Sequence, residues 1–261
     1  MRRFHSKLAC SVVLTAALNG CAVAAAGQPT VQAGSPIPEA AEKLFVLANE
    51  ARAAAGVGPL KWDPALAEGA LKHCQRMAAE GQIAHRYVSE PELEGRAQDA
   101  GAHFSLIAEN VALGFHVTTI HQGWLDSPGH RANLLNLQVD SVGIAVVFGG
   151  GVLYAVADYA RSVAVLSREQ VEASVAALIR SPRMFIVKDP ADARAYCAAG
   201  SRPSGRSAFL IVWENPDIAA LPRELTDRVA SGDYRSAVVG ACAPQESEAG
   251  FTSYRVAVIL Y

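Results

Sequence analysis

Aromatic side chains are scarce in this 261-residue chain: phenylalanine, tryptophan and tyrosine together make up 7% of it, beside only three methionines. Alanine and glycine are abundant instead, so its helices must pack through small residues. An excess of charge is also missing. Twenty-three basic residues face 25 acidic ones, for a formal net charge of −2. The basic residues are scattered rather than striped, which argues against a nucleic-acid surface. The apolar run "LACSVVLTAAL" falls short of the roughly 20 residues that a helix needs to cross a bilayer. No local metal motif such as HExxH occurs, and no internal repeat is evident.

What is present at the start reads as an export signal over residues 1–21: the basic "MRRFHSK" followed by that short apolar run. "LNGC" (Leu18 to Cys21) resembles a bacterial lipobox, whose cysteine is acylated after cleavage, although Asn19 is an unusual residue within it. "AVAAAG" (22–27) offers an ordinary small-residue cleavage site. A lipid anchor on Cys21 and free secretion both stay open, and export to the periplasm or outer envelope follows from either. Setting aside Cys10 and Cys21 leaves three cysteines. In an oxidising compartment Cys197 and Cys242 are the expected disulfide, and Cys74, inside a helical pattern, is the expected buried thiol.

Residues 22–37 lack periodicity and read as a linker. A helix begins at Pro38 and ends at Gly56, with Leu44, Ala48, Ala51 and Ala55 on one face. A second helix has Asp63 as N-cap, Pro64 in its first turn and Gly81 as terminator. A weaker helix is expected around "PELEGRAQDAG". A third clear one starts near Thr118 or Thr119 and carries Ile120 and Trp124, and Ser127-Pro128 restarts a short turn. The period then changes: "DSVGIAVVF" and "VLYAVADYA", joined by Gly149-Gly150-Gly151, read as a hairpin. This gives an α+β domain over 38–162. Residues 163–261 repeat the mixture: helices at "REQVEASVAALI" and "ELTDRVASG", strands at "RMFIVKD", "AFLIVWE", "RSAVVGACA" and "YRVAVILY". That region either has its own small core or extends the first sheet.

Candidate chemistry lies in His85, in a loop after the second helix; in Glu109, in a short segment before "VALG"; and in His130, at a helix start. Two imidazoles and a carboxylate are a donor set for a zinc-like metal with an open position for water. The bland reading makes all three satisfied structural polar residues. Asn110, Arg131 and Asn133 are expected to tie loops to the sheet, and Trp62 and Trp124 to be core or core-edge aromatics. Asp158 reads as a strand-end hydrogen-bonding residue and His73 as a helix-face residue.

The ordered set "LANEARAAAGVGPLKWDPALAEGALKHCQRMAAEGQIAHR", "AENVALG", "WLDSPGHRANLLN" and "VGIAVVF…YAVADYA" resembles the CAP superfamily, or SCP domain, in its bacterial exported branch, over roughly residues 40–160. The resemblance implies an α-β-α sandwich around a three-stranded antiparallel sheet. It also implies a cleft of two histidines and two glutamates, carried over here onto His85, Glu109 and His130. The second glutamate's place holds Thr119, so the tetrad is incomplete; His121, one turn before Trp124, is a local substitute at most. Losing that carboxylate weakens a cation site and removes a general base.

The expected function is therefore an exported envelope protein that binds a small apolar ligand, a divalent metal such as zinc, or an envelope partner in the His/Glu cleft. The alternatives are a hydrolase using metal-activated water on His85, His130 and Glu109, and a structural protein with a vestigial cleft.

Overall fold

A computed structural model describes residues 34–199, 209–242 and 251–261. The signal segment, Cys21 and most of the expected linker lie outside them. Residues 34–37 are tied to the sheet rather than free: Pro36 bridges Val147 and the Ile37 amide donates to the Val146 carbonyl at 2.8 Å.

The first half runs α1 (Pro38–Ala54), β1 (Lys61–Trp62), α2 (Pro64–Glu80), α3 (Leu93–Asp99), β2 (Phe104–Gly114), α4 (Val117–Asp126), α5 (Pro128–Leu134), β3 (Ser141–Gly149) and β4 (Val152–Ser162). The α2 signals act as read. The Asp63 side chain accepts from the Ala65 and Leu66 amides, and Gly81 closes the helix in the left-handed region at φ 71°. Such a C-cap favours glycine because no Cβ opposes it. Among the described residues no helix is long and apolar enough to cross a membrane.

The sheet has four strands, not three, in the order β1-β3-β4-β2. The two-residue β1 adds a parallel edge at Lys61↔Ser141, and the other pairings are antiparallel. Alternation along the strands feeds two apolar layers. One face, with Val142, Ile144, Val146, Ala155, Ala157 and Tyr159, packs against α1, α4 and α5. The other, with Val111, Ala145, Val147, Tyr154 and Val156, packs against Ala70, Cys74 and Met77 of α2. Met77 is wholly buried, which stabilises the fold by roughly 1.5–3 kcal/mol. The α2 layer sits so close that a Cβ on Gly143 of β3 would come within 2.0 Å of the Ala67 nitrogen.

The second half runs α6 (Arg168–Ile179), β5 (Phe185–Ile186), α7 (Ala191–Ala199), β6 (Phe209–Asn215), α8 (Arg223–Ser231), β7 (Ser236–Ala241) and β8 (Tyr254–Leu260). It builds its own four-stranded sheet and core rather than extending the first sheet. "RMFIVKD" yields only the two residues of β5, and the apolar pattern of α7 is too short to mark a helix in the sequence. The sheet order is β5-β7-β8-β6, with β5 parallel to β7 and the rest antiparallel.

That is the first sheet's order and sense, strand for strand, and the layers match as well. Helices α6 and α8 cover one face, as α1 and α4 do, while Ala193 and Cys197 of α7 cover the other, as α2 does. A Cβ on Gly240 of β7 would fall 2.3 Å from the Arg194 nitrogen of α7, the counterpart of Gly143 under α2. Asp63-Pro64 before α2 recurs as Asp189-Pro190 before α7, where Asp189 accepts from the Ala191 amide at 3.0 Å. A repeat invisible in sequence is thus plain in topology. A disulfide joins Cys197 to Cys242, 45 residues apart.

Candidate functional site

Glu109 lies in the middle of β2, not in a loop, and alternation turns it to the α2 face alongside Val111. It is 6% exposed, and both carboxylate oxygens are engaged. Oε1 accepts from His85 Nδ1 at 2.7 Å, and Oε2 accepts from the buried Arg96 guanidinium of α3. Arg96 also donates to the His85 carbonyl at 3.0 Å, so one guanidinium holds both the loop that carries His85 and the strand that carries Glu109. Behind them stands His73 of α2, wholly buried. Its Nδ1 is 2.7 Å from Glu90 Oε1, its Nε2 is 2.8 Å from the Ala84 carbonyl, and Glu109 Oε2 is 3.8 Å away. Glu90 Oε2 in turn accepts from the Tyr87 amide at 3.0 Å. Buried charges persist only when they are paired and hydrogen-bonded, and this cluster meets that condition for Arg96 and Glu109.

His130 reaches the same neighbourhood from the other side of β2. Asn110, adjacent to Glu109 and so on the opposite face, donates from Nδ2 to the His130 carbonyl at 2.9 Å. Asn133 donates to the Glu109 carbonyl at 3.1 Å and to Asn110 Oδ1 at 3.0 Å. Arg52 fixes the far end of α5: its guanidinium donates to the carbonyls of Gly58, Leu134, Asn136 and Val139 at 2.7–3.2 Å. The Asn110 and Asn133 bonds perform the tying role expected of them, whereas Arg131 is exposed.

The two imidazoles diverge. The hydrogen bond to Glu109, aided by its charge, raises His85 above the usual histidine value against a smaller opposing effect of burial. Burial, and then the charge on His85, lowers His130.

Three residues depart from their sequence readings. Thr119 is exposed in the first turn of α4 and takes no part in the hydrogen bonds that join Glu109, His85 and Arg96. His121 is buried, with Nδ1 unpartnered among the described residues, and does not stand in for the missing glutamate. Asp158 is not at a strand end. It sits within β4, opposite both Gly143 and Glu109, wholly buried, and neither oxygen has a hydrogen-bond partner among the described residues. Burial, then the Glu109 charge, pushes its carboxyl well above the usual range.

A zinc-like site needs three donors turned to one point. Among the described residues no group of three His, Cys, Asp or Glu side chains is so arranged. The physical reason is Arg96, a buried cation already holding the Glu109 oxygen that a metal would take. His85 and Glu109 are therefore hydrogen-bonded to one another and to Arg96, His130 is tied to β2 through its backbone carbonyl, and the three do not fit a metal centre. Sequence reading missed His73, Glu90 and Arg96. The available signal was the charge content of "SEPELEGR" beside His85, too common a pattern to single out.

A groove of about 530 Å³ opens elsewhere, between α1 and α2 over the outer edge of β3. Ile37, Phe45, Trp62, Leu71, Ile144 and Val146 line it, and neither cleft histidine nor Glu109 does. Phe45 and Trp62 meet edge to face at 5.6 Å. Trp62, read as a core or core-edge aromatic, is 41% exposed.

The family described as "CAP: Cysteine-rich secretory protein family" matches residues 46–159. The chain is 29% identical over 106 residues to the Bacillus subtilis membrane protein YlbC, covering 40% of this chain and 31% of that one. It is 26% identical over 124 residues to YkwD of the same organism, covering 47% and 48%. The chain thus spans half or less of the length of the curated relatives it matches. Among solved structures, an extracellular SCP-domain protein from Bacillus anthracis is 29% identical, covering 48% of this chain and 41% of its own, at a TM-score of 0.44. An outer surface protein from Borrelia burgdorferi is 21% identical, covering 49% and 98%, at a TM-score of 0.46.

Proposed function

Because residues 46–159 belong to the CAP family of cysteine-rich secretory proteins, we propose that this chain is an exported binding module that holds a small apolar ligand between α1 and α2. The observation that carries this reading is the 530 Å³ groove, whose lining is almost wholly apolar. Ligand pockets of this size bury most of a small molecule and take their affinity from apolar contact, with a few polar groups setting orientation. The reading moves the ligand away from the His/Glu cleft. There both Glu109 oxygens are already engaged by His85 and Arg96, and the role of this network is to hold β2, α3 and the loop before α3 together. Export is supported by the basic-then-apolar start of the chain and by the Cys197–Cys242 disulfide, a bond that persists in oxidising compartments. The secretory character in the family's description agrees with it.

Calorimetric titration of the mature protein with 1-decanol tests the ligand reading. Saturable binding that Ala67→Phe abolishes, by filling the groove from α2, supports it. No binding, or binding untouched by Ala67→Phe, overturns it.

A further inference from the structure

The apolar groove has a polar signature of one sign. Among the described residues its charged lining residues are Glu42 of α1 and Glu68 of α2, one on each wall, and no lysine, arginine or histidine lines it. Glu42 is exposed. Glu68 meets Lys72, one turn along its own helix at 3.5 Å, with both side chains more than half exposed. Such a pair is worth little and gives way readily to a better-placed cation. Beside these carboxylates stand the two aromatic rings of the groove, Phe45 and Trp62. Aromatic faces attract cations through the ring quadrupole, tryptophan most of all.

We propose that the ligand of this groove is a cationic amphiphile, an apolar chain or ring bearing an ammonium group, with the ammonium set among Glu42, Glu68 and Trp62. The proposal rests on the groove being the ligand site and adds the head-group chemistry. A carboxylate or phosphate head would meet two negative charges on the groove walls. A hydroxyl head would gain no charge interaction. Only a cation uses every polar feature the groove offers, and the apolar floor on β3 takes the rest of the molecule. Residues 22–33, "AVAAAGQPTVQA", precede the groove in the chain and carry no cationic side chain.

The test is a calorimetric comparison, on the full mature chain, of three probes with the same ten-carbon tail: decyltrimethylammonium, 1-decanol and decanoate. The ammonium probe is expected to bind about tenfold more tightly than decanol, and decanoate more weakly than either. The double variant Glu42→Gln, Glu68→Gln, at two exposed or half-exposed positions, should erase the ammonium advantage while leaving decanol affinity unchanged. Trp62→Leu should reduce the advantage severalfold, and Glu94→Gln, outside the groove, should leave it intact. Raising salt from about 20 to 500 mM should shrink the preference, because screening acts on the charge contribution alone. Equal affinity for all three probes overturns the ammonium proposal and leaves the apolar site standing. Tighter decanoate binding overturns it as well. Failure of all three to bind removes the site and the proposal together.

Discussion

Glu109 and Asp158 face one another in register on β2 and β4. Both are buried, yet among the described residues only Glu109 has partners. Two carboxyls side by side, of which one carries the ion pairs, divide the labour: Glu109 holds Arg96 and His85, while burial and the Glu109 charge push the Asp158 carboxyl well above the usual range. A carboxyl whose folded pKa stands above its unfolded one binds its proton more tightly in the fold. Stability therefore declines as pH rises from about 4, the unfolded value, through the folded one. The Asp158→Asn protein lacks this decline. Its stability relative to wild type, from urea unfolding, should rise as pH increases above about 4; a difference independent of pH rejects the assignment.

Removing one member of the buried pair should cost far more than removing both. Glu109→Gln leaves Arg96 in the interior with only the more distant Glu90 carboxylate, 4.0 Å away, and a loss of about 3–5 kcal/mol is expected. Arg96→Met strands Glu109 beside Asp158 and should cost a similar amount. The double variant should lose much less than the sum. Additive losses in chemical denaturation would mean that the two residues do not act as a pair.

The two cleft imidazoles should titrate on opposite sides of the ordinary histidine value near 6.5. NMR titration should place His85 above it and His130 below it, and Glu109→Gln should bring His85 down. The sign for stability follows. A histidine raised in the fold contributes fully below pH 6.5 and loses that contribution as pH rises through its folded value. His85→Ala should therefore be most destabilising in mild acid. A midpoint for His85 at or below that of His130 contradicts the 2.7 Å bond to Glu109.

Gly143 and Gly240 should be irreplaceable for the same reason in the two halves. An added methyl would lie 2.0 Å from the Ala67 nitrogen and 2.3 Å from the Arg194 nitrogen respectively, and backbone cannot step aside cheaply. Gly143→Ala and Gly240→Ala should each destabilise by about 3 kcal/mol or more, read as a fall in Tm. A loss under about 1 kcal/mol at either site, well below that overpacking cost, would show that its helix does not sit against the sheet there.

Cysteine chemistry separates the two halves. Mutating Cys197 and Cys242 together to serine opens a 45-residue separation, with an expected cost of about 2–4 kcal/mol. Cys74 has its thiol pushed up to about 12, mainly by burial. It should resist thiol reagents until the protein unfolds; rapid labelling of Cys74 in the native state would contradict its place under β3 and β4.

Much of this was legible along the chain because it is local. Asp63 and Gly81 bracket α2 through bonds spanning only a few residues, and Gly149 to Gly151 turn the β3–β4 hairpin. The order of short motifs also placed His85, Glu109 and His130 in one region. β2 was not legible: "FSLIAENVALG" interrupts its apolar pattern with Glu109 and Asn110, which a strand accepts only when partners on both faces satisfy them.

By itself, then, the sequence determined where helices start and stop, where the hairpin turns and which cysteines remain to pair. Only the tertiary structure decided that Arg96 closes the His85–Glu109 cleft, that Asp158 is buried opposite Glu109, that the open apolar space lies between α1 and α2, and that the second half repeats the first. Helix caps and turns depend on neighbours a few residues away, whereas burial, charge pairing and strand order depend on residues brought together from across the chain, which a linear pattern does not record.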